Sequence, residues 1–239
     1  MLSVGVHVNQ LIKPAVALMN RLPMFYKFSL ISVLFLLPII ALSWLVISEL
    51  NRSVDTMTRG VEGLEQLEKV DTLLAESMAY RDFRAPGKIK DDNELLSQSA
   101  ESSETIDRIL EELVNAEARF DESGNWSQQV AMLVEEWQTL KSTDSYQGNI
   151  DPQFKYYQEF VQKVRALLSA TIEISGLGQD ASRENLLLLG LLRESLPDAR
   201  SIIGRARTFG TFALIDGQVG YNLSDALNEI YDELTNRAS

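Results

Sequence analysis

The chain has 239 residues, 45% of them hydrophobic and 23% charged, with no Cys, one His and a net charge of −12, so it is long enough to bury a core as one domain or two small ones. The missing Cys excludes disulfides, thiol chemistry and Cys-ligated zinc or iron–sulfur centres, and the lone His7 excludes His-rich metal sites and argues against a His-based triad. Acidity argues against a nucleic-acid binder, and few Gly and Pro beside many Leu, Ala, Glu and Ser point to helices.

The charge is unevenly placed. Residues 1–27 hold Lys13, Arg21 and Lys27 and no acid. The run from Phe28 to Ser48 then has no charge at all. A helix needs about 20 such residues to cross a bilayer. Residues 1–50 carry a net +2 (three basic, Glu49 acidic), which leaves −14 for the other 189 (19 basic, 33 acidic). The positive-inside rule places the N-terminus in the cytoplasm and the acidic part outside. A cleaved signal peptide, a buried core helix and a membrane span with no signalling role are the competing readings, but the run is long for a signal sequence. Pro38 is tolerated in a spanning helix. Trp44 suits the outer interface, and Phe25 and Tyr26 suit the inner one. The domain reading is a basic segment 1–27, a membrane helix 28–48 and an external helical region 49–239.

From Leu50 onward apolar residues recur at steps of three and four: Val54, Met57, Val61, Leu64, Leu67, Val70, Leu74, Met78. The stripe is close to a coiled-coil seam. It predicts one helix from about Phe28 to about Phe83, stopped by Pro86-Gly87. A second helix is expected to start near Asp91–Asn93, with Leu95, Ile106, Ile109, Leu110, Leu113 and Val114 inside, and to break at Asp121–Asn125. A third carries Val130, Leu133, Trp137 and Leu140. After the loop-like stretch from Ser142 to Pro152, Asp151-Pro152 reads as a helix start. The fourth helix places Phe154, Tyr157, Val161, Val164, Leu168 and Ile172 on one face, until Ser175–Gly178 interrupts it. A fifth, capped by Asp180 or Ser182, runs through Leu186 to Phe209, and Pro197 predicts a kink or boundary near Ser195. Leu186–Leu192 is too short to span a membrane and reads as buried on more than one side. Asp216-Gly217 and Gly220 turn the chain into a last helix from about Ser224. No strand alternation of useful length occurs. The expected fold is all-α: a membrane helix continuing into an antiparallel extracytoplasmic bundle, as one bundle or two stacked ones.

Enzyme motifs are missing: there is no phosphate loop, dinucleotide fingerprint, HExxH or GxSxG. Neither an enzymatic activity nor a cofactor is expected. Two segments stand out, Tyr80-Arg81-Asp82-Phe83-Arg84 and Gly204-Arg205-Ala206-Arg207-Thr208-Phe209-Gly210. A guanidinium fork matches two oxygens of a carboxylate, nitrate or phosphate. Arg81, Arg84, Arg205 and Arg207 are therefore the candidate ligand-binding residues, for a small anion. The competing role for these arginines is pairing with the chain's own acids or with helix ends. Trp126, Trp137 and the aromatic group Phe154, Tyr156, Tyr157 and Phe160 read as packing residues.

The basic start NRLPMFYKF, the Pro-centred VLFLLPIIAL, and the distal phrases RARTFGTFALIDGQ and YNLSDALNEIYDEL resemble the front end of bacterial methyl-accepting chemotaxis proteins. Membrane diguanylate cyclases and histidine kinases have similar front ends. The resemblance implies a periplasmic helical sensor anchored in the inner membrane, usually a homodimer, signalling by a helix shift. In similar nitrate-sensing and bimodular sensors arginines on facing helices hold the anion, which here points to Arg81 and Arg205, and less to Arg207. Position 82 is Asp and position 208 is Thr where the resemblance would place Gly. A second span, a HAMP-like segment and an output module are missing, so the chain is expected to be a piece cut within a sensor, with a single-span protein carrying an external bundle as the other reading. The alternative is a dimerisation or docking module that binds no small molecule.

Overall fold

The computed structural model describes residues 23–116, 118, 120–121, 123–177 and 183–238. Every regular element among them is helical: α1 (Met24–Lys90), α2 (Asn93–Val114), α3 (Asn125–Thr143), α4 (Ile150–Ile174), α5 (Arg183–Gly190), a π-helical turn (Leu191–Ser195), α6 (Leu196–Asp216) and α7 (Tyr221–Ala238). The chain divides into two compact units, Met1–Asp55 and Thr56–Ser239. His7, Lys13, Arg21 and the caps expected at Asp180 or Ser182 lie outside the described residues.

In the first unit the described chain is the start of α1. Its large apolar side chains, from Phe28 through Trp44 and Ile47, are exposed. Among the described residues α1 is the one helix long and apolar enough to cross a membrane.

In the second unit the sequence period maps onto burial. Leu67, Val70, Leu74 and Met78 of α1 are in the core, with Ile106, Ile109, Leu110 and Leu113 of α2, the Val130–Leu140 stripe of α3 and the Phe154–Ile172 stripe of α4. Contact pairs give the directions. Gly63 lies against Ser175, and Arg81 reaches Gln158, so α4 runs opposite to α1. A side chain at Gly63 would overlap Ser175, so Gly lets these two helices close up. Trp126 Nε1 donates to Thr171 Oγ1 at 2.8 Å, and Trp137 stacks 5.0 Å from Phe160, so α3 and α4 are also opposed. By contrast Asp71 pairs with Arg200, Asp82 with Arg207 and Lys90 with Asp216, so α6 runs the same way as α1.

Four local expectations change. First, Pro86-Gly87 does not stop α1, which continues to Lys90. The stop is Asp91, in the left-handed region at φ 53°. Asp92 then caps α2 by accepting from the backbone N–H of Glu94 and Leu95. Gly87 is where the first turn of α2 crosses, since an added Cβ would stand 3.1 Å from Leu95 Cβ. Second, α4 is capped by Asn149, and Asp151-Pro152 fall in its first turn. Third, Leu186, Leu187, Leu188 and Leu191 are exposed rather than buried, and of α5 only Leu189 packs against the core. Leu188, Leu189 and Leu192 line a cleft with Leu64 and Leu67 of α1, and Leu186, Leu187 and Leu191 are not part of that lining. Fourth, α7 begins at Tyr221, three residues before the expected start.

The kink expected near Ser195 takes the form of the π turn, in which Leu196 N–H donates to Leu191 C=O, five residues back. Pro197 has no N–H to give to Arg193, so the ladder is already broken there. The inward face steps from Leu192 to Pro197, leaving Leu196 outside.

Candidate functional site

The two arginine-bearing segments meet. They meet around a carboxylate of the chain itself. Asp82 is almost wholly buried, with 2% of its side chain exposed. Arg81, its neighbour on α1, is fully buried and folds back onto it: Nε donates to Oδ1 at 2.8 Å, and Nη2 stands 2.6 Å from the same oxygen as an ion contact without a hydrogen bond. From α6, Arg207 Nη2 donates to Asp82 Oδ2 at 2.9 Å. Two guanidiniums therefore share one carboxylate. Neighbouring side chains on a helix do not normally face each other, so this pairing is imposed by the surrounding helices.

Each arginine is held from a second side. Arg81 donates through Nη1 to Gln158 Oε1 on α4, and its guanidinium lies 4.3 Å from the centre of the Phe154 ring. Arg207 lies 4.5 Å from the centre of the Phe83 ring. Both are cation–π placements. Gly204 supplies the space: a Cβ there would overlap Asp82 Oδ2 and stand 2.8 Å from Arg81 Nη2.

The backbone of Asp82 is also accounted for. Pro86 has no N–H for the C=O four residues before it, which is that of Asp82. Thr208 Oγ1, wholly buried on α6, donates to this C=O at 3.3 Å. Asp82 and Thr208, the two departures from the resembling pattern, thus stand at the centre of the cluster and touch each other.

Burial pushes the Asp82 carboxyl above the usual range while Arg81 and Arg207 pull it back. Burial likewise lowers the Arg81 pKa, and Asp82 opposes that.

Arg84 and Arg205 go elsewhere. Arg84 Nη2 reaches Asp144 Oδ2 at 2.5 Å, Lys88 Nζ reaches the same atom at 2.6 Å, and Tyr157 O–H donates to Asp144 Oδ1 at 2.6 Å. Burial alone would raise the Asp144 pKa, but the hydrogen bonds from Arg84, Lys88 and Tyr157 outweigh it and hold the carboxyl at about 2. Burial and the bond to Asp144 push the Tyr157 hydroxyl far up. Arg205 pairs across to α7, with Glu233 at 3.0 Å and Glu229 at 3.4 Å. It also edges a cleft of about 450 Å³ between α4, α6 and α7, floored by Phe154, Gln158, Ile202 and Phe209.

All four candidate arginines are therefore in ion pairs with carboxylates of this chain. Sequence reasoning did not find Asp144, Gln158 or Thr208. Asp144 lies in the loop-like stretch, and no spacing linked it to Arg84, 60 positions earlier. The aromatic residues expected to pack do so: Trp137 Nε1 donates to Asp107 at 2.8 Å, and the Tyr80 ring meets those of Trp137 and Tyr157 edge-on at 4.9 and 5.6 Å.

The chain matches no family model, no curated protein and no solved structure.

Proposed function

We propose that the chain is the ligand-sensing extracytoplasmic region of a bacterial transmembrane chemoreceptor, held in the inner membrane by residues 28–48, with its N-terminus in the cytoplasm and its bundle in the periplasm. The observation that carries this reading is α1: one helix, Met24–Lys90, contains the apolar stretch and also Arg81, Asp82 and Arg84. A ligand that prefers one arrangement of helices shifts the populations of the two states. A displacement of an ångström or two at Arg81 is then carried along an unbroken helix. An anion arriving from solvent meets Arg205 and Arg207 first, because 24% and 48% of their side chains are exposed while that of Arg81 is not. Arg81 stands behind them, and Arg84 is held apart, paired with Asp144. A membrane diguanylate cyclase or histidine kinase would use the same front end. Dimerisation is part of the proposal, through the exposed stretch of the α1 stripe: Leu50, Val54, Met57, Val61 and Leu64.

A second reading has its own support. Because all four arginines are paired internally, the bundle also suits a docking or dimerisation module that takes no small molecule. A melting-temperature screen of the full chain in lipid nanodiscs, against small anions and amino acids, separates the two. The sensor reading expects one compound to give a saturable rise that Arg205→Ala removes. A flat response across the panel would leave the docking module standing and the sensor reading overturned.

A further inference from the structure

We propose that Arg81, Arg207 and Gly204 form a carboxylate receptor whose resident guest is the chain's own Asp82, and that removing this one carboxylate opens the receptor to a small planar oxyanion such as formate, acetate or nitrate. The inference does not depend on the chain being a sensor, and it concerns what already occupies the arginines.

Four features separate this arrangement from an ordinary ion pair. The guest is bound from two helices, with Arg81 on one oxygen and Arg207 on the other. Both hosts are fixed without the guest: Arg81 by Gln158 and the Phe154 ring, Arg207 by the Phe83 ring. Two guanidiniums face one carboxylate, so the receptor keeps an excess positive charge and one buried donor, Arg81 Nη2, without a hydrogen bond. A buried donor in that position favours an acceptor placed better than a tethered side chain can place it. Finally, the missing side chain at Gly204 is where the guest's oxygen sits. Deleting the Asp82 carboxylate would leave a hole bounded by two cations, which suits a small oxyanion better than water or an apolar solute.

The receptor is selective by shape. A bidentate fork matches a planar set of oxygens, whereas chloride offers a single point of charge. The site is also closed: Arg81 is fully buried and Arg207 is its solvent-facing side. Bulky anions are excluded.

The experiment uses the full chain in nanodiscs, as wild type, Asp82→Ala and Asp82→Asn, melted in sodium formate or in sodium chloride at the same ionic strength. Asp82→Ala should melt below wild type in chloride. Formate should recover it, with a rise of about 3–6 °C for each tenfold in concentration above the dissociation constant. Wild type should not respond, because its guest is tethered. Asp82→Asn should not respond, because its amide fills the space. Adding Arg207→Ala to Asp82→Ala should abolish the recovery. An equal effect of formate on wild type and Asp82→Ala, or no advantage of formate over chloride, would overturn the inference. Failure to recover folded Asp82→Ala from either salt would count against it too, since formate should fill the vacancy during folding. A flat ligand screen on wild type leaves this result untouched, so the two proposals fail separately.

Discussion

Pro86 and Thr208 are 122 positions apart and act on one atom. Pro86 removes the donor that the Asp82 C=O would have had within α1, and the Thr208 hydroxyl on α6 replaces it at 3.3 Å. The pair predicts a double-mutant cycle. Thr208→Val alone leaves a buried carbonyl without a partner and should cost about 1–3 kcal/mol. Pro86→Ala restores the intrahelical N–H, so Thr208→Val in that background should cost less than half as much. Chemical denaturation of the four proteins checks it, and additive costs would refute the link. This scale was only partly legible in the sequence. Arg81, Arg84, Arg205 and Arg207 stood out because clustered arginines beside glycine and aromatics are unusual. Their carboxylate partners did not, because Asp82, Asp144, Glu229 and Glu233 are four among 34 acids. Choosing among so many acids requires knowing which helices face each other.

The helices themselves were readable, because the three-four period is a direct projection of burial. It located α3 and α4 nearly to the residue and found α1 as one long helix, but it ran α2 on toward Asp121–Asn125, whereas α2 ends at Val114, an exposed residue that the period places inside. It failed at α1's end because a proline costs one hydrogen bond, and a neighbour that supplies that bond lets the helix run on. It also failed on the leucines of α5, since hydrophobicity reports a tendency to be covered and not what does the covering. The same distinction divides the α1 stripe. Leu67, Val70, Leu74 and Met78 are buried by their own chain, while Leu50 to Leu64 are not. The native chain has no Cys, so single cysteines report on this directly. If the exposed stretch meets a second copy as proposed, Val61→Cys should form a disulfide-linked dimer under mild oxidation in nanodiscs, and Leu74→Cys should not. Monomer throughout for Val61→Cys would remove the dimer from the proposal.

For the molecule as a whole, the −14 of residues 51–239 is a self-repelling charge that folding has to hold together. Asp144 is one of the places where it does so. It joins Arg84 and Lys88 of α1 to Tyr157 of α4 from the loop after α3. Its folded pKa, about 2, is below the unfolded value of about 3.9. The stability it contributes is therefore present above pH 4 and lost as the pH falls through about 2. After allowance for solvent screening this is about 1–2 kcal/mol. Asp144→Asn should be less stable than wild type at pH 7, and the gap should narrow between pH 4 and 2. Urea unfolding across that window measures it. An undiminished gap at pH 2 would show that the carboxylate's charge is not what matters.

The π turn at Leu191–Ser195 sets a rule of length for everything after it. One residue more than an α-helix needs turns the following helix by about 100°. That turn lets Leu189 before it, Leu192 at its start, and Arg200, Gly204 and Thr208 after it look toward the same side of the chain. Substitutions within the turn leave this phase intact. Deleting a single residue from it would instead swing the arginines of α6 away from Asp82 while changing none of the residues in the cluster. The contact between the two arginine-bearing segments thus rests on a count of residues, at a place where no side chain of the cluster resides.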